Sequence, residues 1–322
     1  MVGDPVADNR ALATRPRTAW GNRTRRREHN PAFGFSGWRV ALPFILPTIV
    51  GLLVCNVIPL LAAFALGFTN YSFTTKTNWI GVANYRAFLF DDPLFWKAMR
   101  NTFYYTVASV GLSVVIGLLL ALALYQAIKG TRFFRSVYFL PVVASSAAVS
   151  LVWGLLLEPN FGLVNFLLGL VGINGPGWTQ SLQWAMPALI LVTIWKTVGY
   201  NMVIFLAGLQ DIPQEVREAA RVDGADGWRE TLNIVLPLLS PTTFFVIVIS
   251  LITSFQVFDY IYVMTQGNPA YETLTLSYYI YQIGFQYFRM GQASALSYIL
   301  FAVVFLLTLL QFGLQRRWVQ YQ

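Results

Sequence analysis

The sequence predicts an all-α polytopic membrane protein, with six transmembrane helices and a helix-turn-helix loop between the fourth and the fifth. Three observations carry that prediction. Only 11% of the 322 residues are charged and 56% are hydrophobic, whereas a soluble domain is roughly 25% charged. Apolar runs long enough to cross about 30 Å of hydrocarbon recur along the chain. Between the fourth and fifth runs lies a charge-dense insert patterned like folded helices rather than like a plain connector.

Residues 1–37 read as a disordered basic tail that includes Arg23-Thr24-Arg25-Arg26-Arg27. Such a run suits an anionic inner-leaflet surface, so the net charge of +8 calls for no nucleic-acid partner. A twin-arginine export signal fits poorly, because the apolar segment that follows far exceeds a signal core of about 7–15 residues. The membrane domain is placed at 38–317, with spans at about 38–68, 101–127, 135–157, 183–209, 235–264 and 294–315. The first and fifth are longer than a bilayer needs, which predicts tilt or extension beyond it. In the third, Pro141 and the Ser145-Ser146 pair interrupt the run. Cys55 lies in the first span and reads as a buried structural thiol. No GxxxG pair signals close glycine-mediated packing.

Lys and Arg set the orientation. Sixteen of the 22 fall on the side of the tail and of the 211–237 loop; five (Lys76, Arg86, Lys97, Arg100 and Arg289) fall on the other. Both termini and that loop are therefore expected in the cytoplasm. The outer loops 69–100, 158–182 and 265–293 are rich in aromatics and turn residues, as interfacial belts are.

The 211–237 loop has helical grammar. Asp211 can cap a helix whose first turn tolerates Pro213. Ile212, Val216, Ala219 and Ala220 then share one face, and Gly224 supplies a left-handed stop. Asp226 can cap a second helix carrying Trp228, Leu232 and Val235, and Pro237 and Pro241 perturb the start of the fifth span. Six acids against three arginines in this loop disfavour an anionic leaflet, so a protein partner is expected.

Inside the spans, polar residues mark a candidate path. Lys196 lies near the middle of the fourth span, where an ionisable group is costly and faces a cavity or a partner. Tyr200 sits one turn deeper on the same face, and Asn201 flanks it. The fifth span offers Ser250, Ser254, Phe255, Gln256, Asp259 and Tyr260. Hydrogen-bonding groups beside aromatic faces suit hydroxyl-rich ligands; hydrogen bonding between helices is the plainer alternative. An ion pair between Lys196 and Asp259 looks strained, since continuous spans would separate their depths by roughly 12 Å. The single His29 lies in the tail, which removes a histidine-based catalytic site from the spans and leaves little scope for a metal centre.

Glu218-Ala219-Ala220, Gly224 and Ile234-x-Leu236-Pro237 resemble the EAA signature of permease subunits of binding-protein-dependent ABC importers. Trp195-Lys196 through Tyr200-Asn201, Leu209-Gln210-x-Ile212-Pro213, Val222-Asp223-Gly224-Ala225, Leu236-Pro237-Leu238-Leu239-x-Pro241 and Phe258-Asp259 through Gln266-Gly267-x-Pro269 look like its carbohydrate-uptake branch, which includes the maltose and glycerol-3-phosphate permeases. The likeness is strongest over 183–270 and continues back to residue 38. It implies a coupling helix that docks on an ATPase, through Glu218, Ala219, Ala220, Asp223, Gly224, Ile234, Leu236 and Pro237. It also implies two ATPase subunits that bind ATP and Mg, a second related permease chain, an extracytoplasmic substrate-binding protein and a sugar-type cargo, in a bacterial or archaeal cytoplasmic membrane. The chain has no GxxxxGK[ST] of its own, so no cofactor is assigned to it and it is expected to be non-catalytic. An ion-coupled secondary transporter or channel is the alternative; paired intramembrane acids or inverted repeats would mark it, and neither is evident.

Overall fold

The computed structural model describes residues 35–73, 76–126, 130–225 and 227–319. The Arg23–Arg27 run, His29, Lys129 and the proposed cap Asp226 lie outside the described residues, as does the side chain of Arg221. Among those described, every regular element is helical; Thr69 and Trp79 form an isolated bridge rather than a strand pair.

The chain divides into two units between Ile58 and Pro59, inside the predicted first span. The first unit holds α1 (Phe35–Leu52) and a π-helical turn, Leu53–Val57. Its described side chains are exposed or half-buried, with none buried. Cys55 is therefore exposed and not the buried thiol that the sequence suggests: no described residue packs over its face of the helix. An apolar helix with no buried face of its own calls for lipid or another surface around it. At the division α2 (Ile58–Leu66) begins.

In the second unit α3 (Ala83–Arg86) precedes α4 (Pro93–Tyr125). Hydropathy starts this span at 101 and leaves 93–100 in a loop. The helix starts earlier because Asp92 caps it, accepting from Leu94 N at 2.9 Å with Pro93 in the first turn. Lys97 and Arg100 make the first turns look like a loop to hydropathy alone. Next come α5 (Thr131–Val143), α6 (Ser146–Leu156) and a short helix in an outer loop, α7 (Leu163–Leu170). α8 (Ala185–Gln210) follows, and most of its residues are buried.

The loop after α8 contains α9 (Gln214–Val222), α10 (Gly227–Glu230) and α11 (Leu236–Leu238). Asp211 does not cap α9. It ends α8 instead, its N–H bonding Ala207 O at 3.2 Å, and α9 starts at Gln214. α12 (Ser240–Phe255), α13 (Leu276–Tyr281) and α14 (Met290–Trp318) complete the chain.

Four helical stretches are long and apolar enough to cross a membrane alone: Ala41–Leu66, Pro93–Tyr125, Ala185–Gln210 and Met290–Arg316. The two other predicted spans, 135–157 and 235–264, are not continuous helices. The first is α5 and α6 at 98°, and the second is Gly227–Leu238 and Ser240–Phe255 at 64°. Counting each bent pair as one span brings the total to six. The causes are local. Ala144 and Ser145 adopt extended backbone between α5 and α6, just after Pro141. Pro237 and Pro241 flank Leu239 and remove two backbone donors there. Beyond Phe255 the chain breaks again, then recoils over 259–265.

Packing centres on α8. A buried cluster including Val114, Ala121, Leu124, Met202, Phe205, Leu209, Ile212 and Val235 joins α4, α8 and the loop after α8. A second, including Phe95, Tyr105, Leu189, Val192, Ile261 and Leu296, fills the other end. Single glycines, without a GxxxG pair to signal it, give close helix approach. A Cβ on Gly117 would lie 2.8 Å from Asn201 Cβ, and one on Gly199 would collide with the Tyr138 carbonyl.

Candidate functional site

A cavity of about 430 Å³ opens where α4, α5, α8 and α12 meet. Lys196, Tyr200, Asn201, Ser250, Ser254, Gln256, Asp259 and Tyr260 all line it. The structure thus gathers the polar residues singled out on the two spans. Phe255 is not among the lining residues: it is 1% exposed, with its ring against Phe103 at 5.1 Å.

The depth argument against Lys196 and Asp259 meeting assumed an unbroken fifth span. Because α12 ends at Phe255, both residues reach the same cavity. They still form no ion pair. Lys196 Nζ donates to the carbonyls of Pro141 (3.2 Å), Val142 (3.3 Å) and Ala144 (2.7 Å). These oxygens belong to the last turn of α5 and the break after it, where helical carbonyls lose their intrahelical partners. The ammonium also complements the negative end of the helix dipole.

Sequence reasoning overlooked the α4 wall. Tyr105, Ser109 and Ser113 line the cavity, and Ser109 Oγ lies 3.1 Å from Ser254 Oγ. Asn201 Nδ2 donates to Ser113 Oγ at 3.3 Å, and Ser254 Oγ donates to Thr106 Oγ1 at 3.3 Å. The signal was available: Thr102, Thr106, Ser109 and Ser113 recur at spacings of 4, 3 and 4, one stripe of a helix.

The residues of the proposed signature sit together on the loop after α8. Ala220 is 4% exposed and faces inward, while Glu218, Ala219, Asp223 and Gly224 are exposed. Gly224 has φ +82°, the left-handed stop the sequence predicts, and Ala225 N bonds Ala220 O at 2.9 Å, closing the helix end. Gln214 Nε2 donates to Glu218 Oε1 at 2.7 Å. Val222 and Trp228 project beside them, 88% and 64% exposed. Ile234, Leu236 and Pro237 are half-buried at the turn into α12. Behind this surface Arg217 Nε donates to Glu230 Oε1 at 2.6 Å, and its guanidinium lies 5.0 Å from the Tyr125 ring centroid. Burial opposes the Arg217 charge, but the Glu230 carboxylate and Tyr125 outweigh it and raise the guanidinium pKa further.

An all-helical chain with broken spans, a polar cavity at their junction and a structured loop with exposed apolar and acidic groups defines a membrane permease. Residues 113–320 match the family model of the binding-protein-dependent transport system inner membrane component, and the chain belongs to that family. It is 38% identical over 283 residues to a probable ABC transporter permease protein, YesP, of Bacillus subtilis (strain 168), covering 87% of this chain and 91% of that one. The arabinooligosaccharides transport system permease protein AraP of the same organism is 32% identical over 87% of this chain and 92% of its own length. The sn-glycerol-3-phosphate transport system permease protein UgpA of Pectobacterium atrosepticum is 34% identical over 78% and 84%. A chain of a bacterial alginate ABC transporter, solved with an alginate pentasaccharide-bound periplasmic protein, superposes with a TM-score of 0.79 at 26% identity, covering 88% of this chain and 96% of that one. The chain is therefore a multi-pass membrane permease subunit, and nothing favours the ion-coupled alternative.

Proposed function

We propose that this chain is one of two related membrane subunits of an ATP-driven importer for a sugar, a polyol or a sugar phosphate. The observation that carries the reading is the 430 Å³ cavity, rimmed by hydroxyl, amide and carboxylate groups where broken spans meet. Its size falls in the range of small-ligand sites, about 300–1,000 Å³. The names of relatives that carry glycerol phosphate and arabinooligosaccharides, and the fold shared with an alginate transporter, support cargo of this chemistry.

On this reading Tyr200, Asn201, Gln256 and Asp259 face the cargo, Phe255 backs them, and Lys196 holds the broken span that forms one wall. Two partner ATPases bind and hydrolyse ATP with Mg. One of them docks on the 211–237 loop at Glu218, Ala219, Ala220, Asp223 and Gly224, with Ile234, Leu236 and Pro237 passing the motion into α12. A binding protein delivers cargo from outside, both termini face the cytoplasm, and the basic tail lies on anionic inner-leaflet lipid.

The test is reconstitution of the complex with its binding protein in vesicles, followed by a screen of sugars and glycerophosphate compounds for stimulated ATP hydrolysis and uptake. A sugar-class compound should stimulate both. Glu218→Lys and Gly224→Asp should abolish uptake and stimulation while membrane insertion persists; the second also forces a side chain onto φ +82°. Normal uptake by either variant would end the coupling assignment.

A further inference from the structure

We propose that Arg217 and Glu230 form a positioning link that carries motion of the 211–237 loop into α4, a helix the loop does not touch along the chain. The inference rests on the coupling reading of that loop. Covalently the loop joins only α8 and α12. Motion imposed on α9 would reach those helices first, yet the α4 hydroxyl stripe forms a wall of the cavity.

Arg217 bridges the gap. It is the neighbour of Glu218 on α9, about 100° round the helix: Glu218 is exposed, and Arg217 is half-buried on the side of buried Ala220. The guanidinium meets Glu230 of α10 at 2.6 Å and covers the ring of Tyr125, the last residue of α4, at 5.0 Å. One side chain therefore ties both helices of the loop to the end of α4. The Glu230 side chain is 5% exposed, and taking a cation away from a buried carboxylate is costly. A planar guanidinium can bond a carboxylate edge-on and stack on an aromatic ring at once, which an ammonium cannot do equally well. Around the contact the packing is loose. A cavity of about 640 Å³ is lined by Tyr125, Gln126, Arg217, Trp228 and Glu230. Leu209, Ile212 and Val235 line the same cavity and belong to the apolar cluster that reaches α4; the ion pair and the ring add a directional polar connection to that apolar contact.

The experiment uses the whole complex with its ATPases in lipid vesicles. The sole cysteine is changed, Cys55→Ser, and a reporter, Thr253→Cys, is placed in the cavity wall. Labelling by a water-soluble maleimide is followed with and without ATP plus vanadate, beside the rate of ATP hydrolysis. In the parent, ATP changes the labelling rate. Arg217→Ala should reduce that change roughly tenfold while hydrolysis persists, a loss on the scale of ordinary inter-site coupling. Tyr125→Leu, which removes the ring under the guanidinium, should lose it. Arg217→Met with Glu230→Leu removes both members of the ion pair together; it should assemble uncoupled. Full ATP-dependent labelling in that double variant would overturn the link. If Glu218→Lys also left hydrolysis and labelling unchanged, the coupling reading would fall with it. Loss with Glu218→Lys but not with the double variant sinks the link alone.

Discussion

Gly199→Ala tests the junction of α5 and α8, on which the cavity depends. A Cβ there would collide with the Tyr138 carbonyl oxygen, and would lie 2.7 Å from that carbonyl carbon and 3.1 Å from Phe139 Cα. All three atoms are backbone, so no rotamer change relieves the clash. Restoring ordinary contact moves α5 away by roughly 0.7 Å or more. The Lys196 bonds to Pro141 and Val142 are already 3.2 and 3.3 Å long, and such a shift breaks them. Overpacking costs about 1–3 kcal/mol and loss of a charge-assisted bond about 1.5–3 kcal/mol. Replacing glycine by alanine inside a helix returns about 1 kcal/mol. The net expectation is a loss of about 1.5–5 kcal/mol, read as a thermal midpoint several degrees lower for the purified complex. Gly111→Ala is the control: it lies in α4, and a Cβ added there would meet nothing within 4 Å, so it should melt at or above the parent. If Gly199→Ala melted with the control, α5 would be free to leave α8, and the argument for a fixed broken wall would fail.

Lys196→Met separates a structural ammonium from one that contacts cargo. It strips the donor from three carbonyls, and should lower stability by about 1.5–3 kcal/mol and the maximal transport rate, leaving the cargo KM near that of the parent. A KM raised about tenfold with unchanged melting, a cost near 1.4 kcal/mol, would return Lys196 to the cargo. Near the start of α4, Asn101 Nδ2 donates to Tyr271 O and Leu274 O at 2.9 and 3.0 Å, beside the Lys97–Glu272 pair. Asn101→Leu should free the 268–275 segment, seen as faster hydrogen exchange there and unchanged exchange in α8; slow exchange in both would show that the clamp is redundant.

How far the sequence was legible follows from which forces act locally. Long apolar runs gave α8 and α14 nearly to their ends, because hydrocarbon thickness sets their length. Where charge enters a helix, as at Lys97 and Arg100 of α4, hydropathy stops too early, and the Asp92-Pro93 start was the better guide. Gly224 announced its left-handed stop because only glycine adopts that backbone freely. Pro141 and Ser145-Ser146 announced a break but not its 98°, which depends on what α5 packs against. The α4 side of the cavity was written in its hydroxyl spacing, but such a stripe fits helix–helix bonding equally well until α12 is seen opposite it. The inward turn of Arg217 had no such mark: its partners lie 13 residues on, at Glu230, and on a helix distant in the chain.

Lys196 shows why a charge inside a span need not belong to the cargo. In hydrocarbon each unsatisfied carbonyl costs several kcal/mol, so a span can break only where something supplies donors. The break between α5 and α6 frees carbonyls at Pro141, Val142 and Ala144, and a neutral side chain on α8 could not serve all three from one atom. An ammonium can, with its three hydrogens, and Gly199 one turn along lets α5 lie close enough to be reached. The charge and the glycine are thus two requirements of one broken helix. The cavity lies where that break meets the end of α12 because bent spans leave room that continuous helices would fill. The polar groups around it then have a place to face, and Lys196 shapes the site whether or not it touches what passes through.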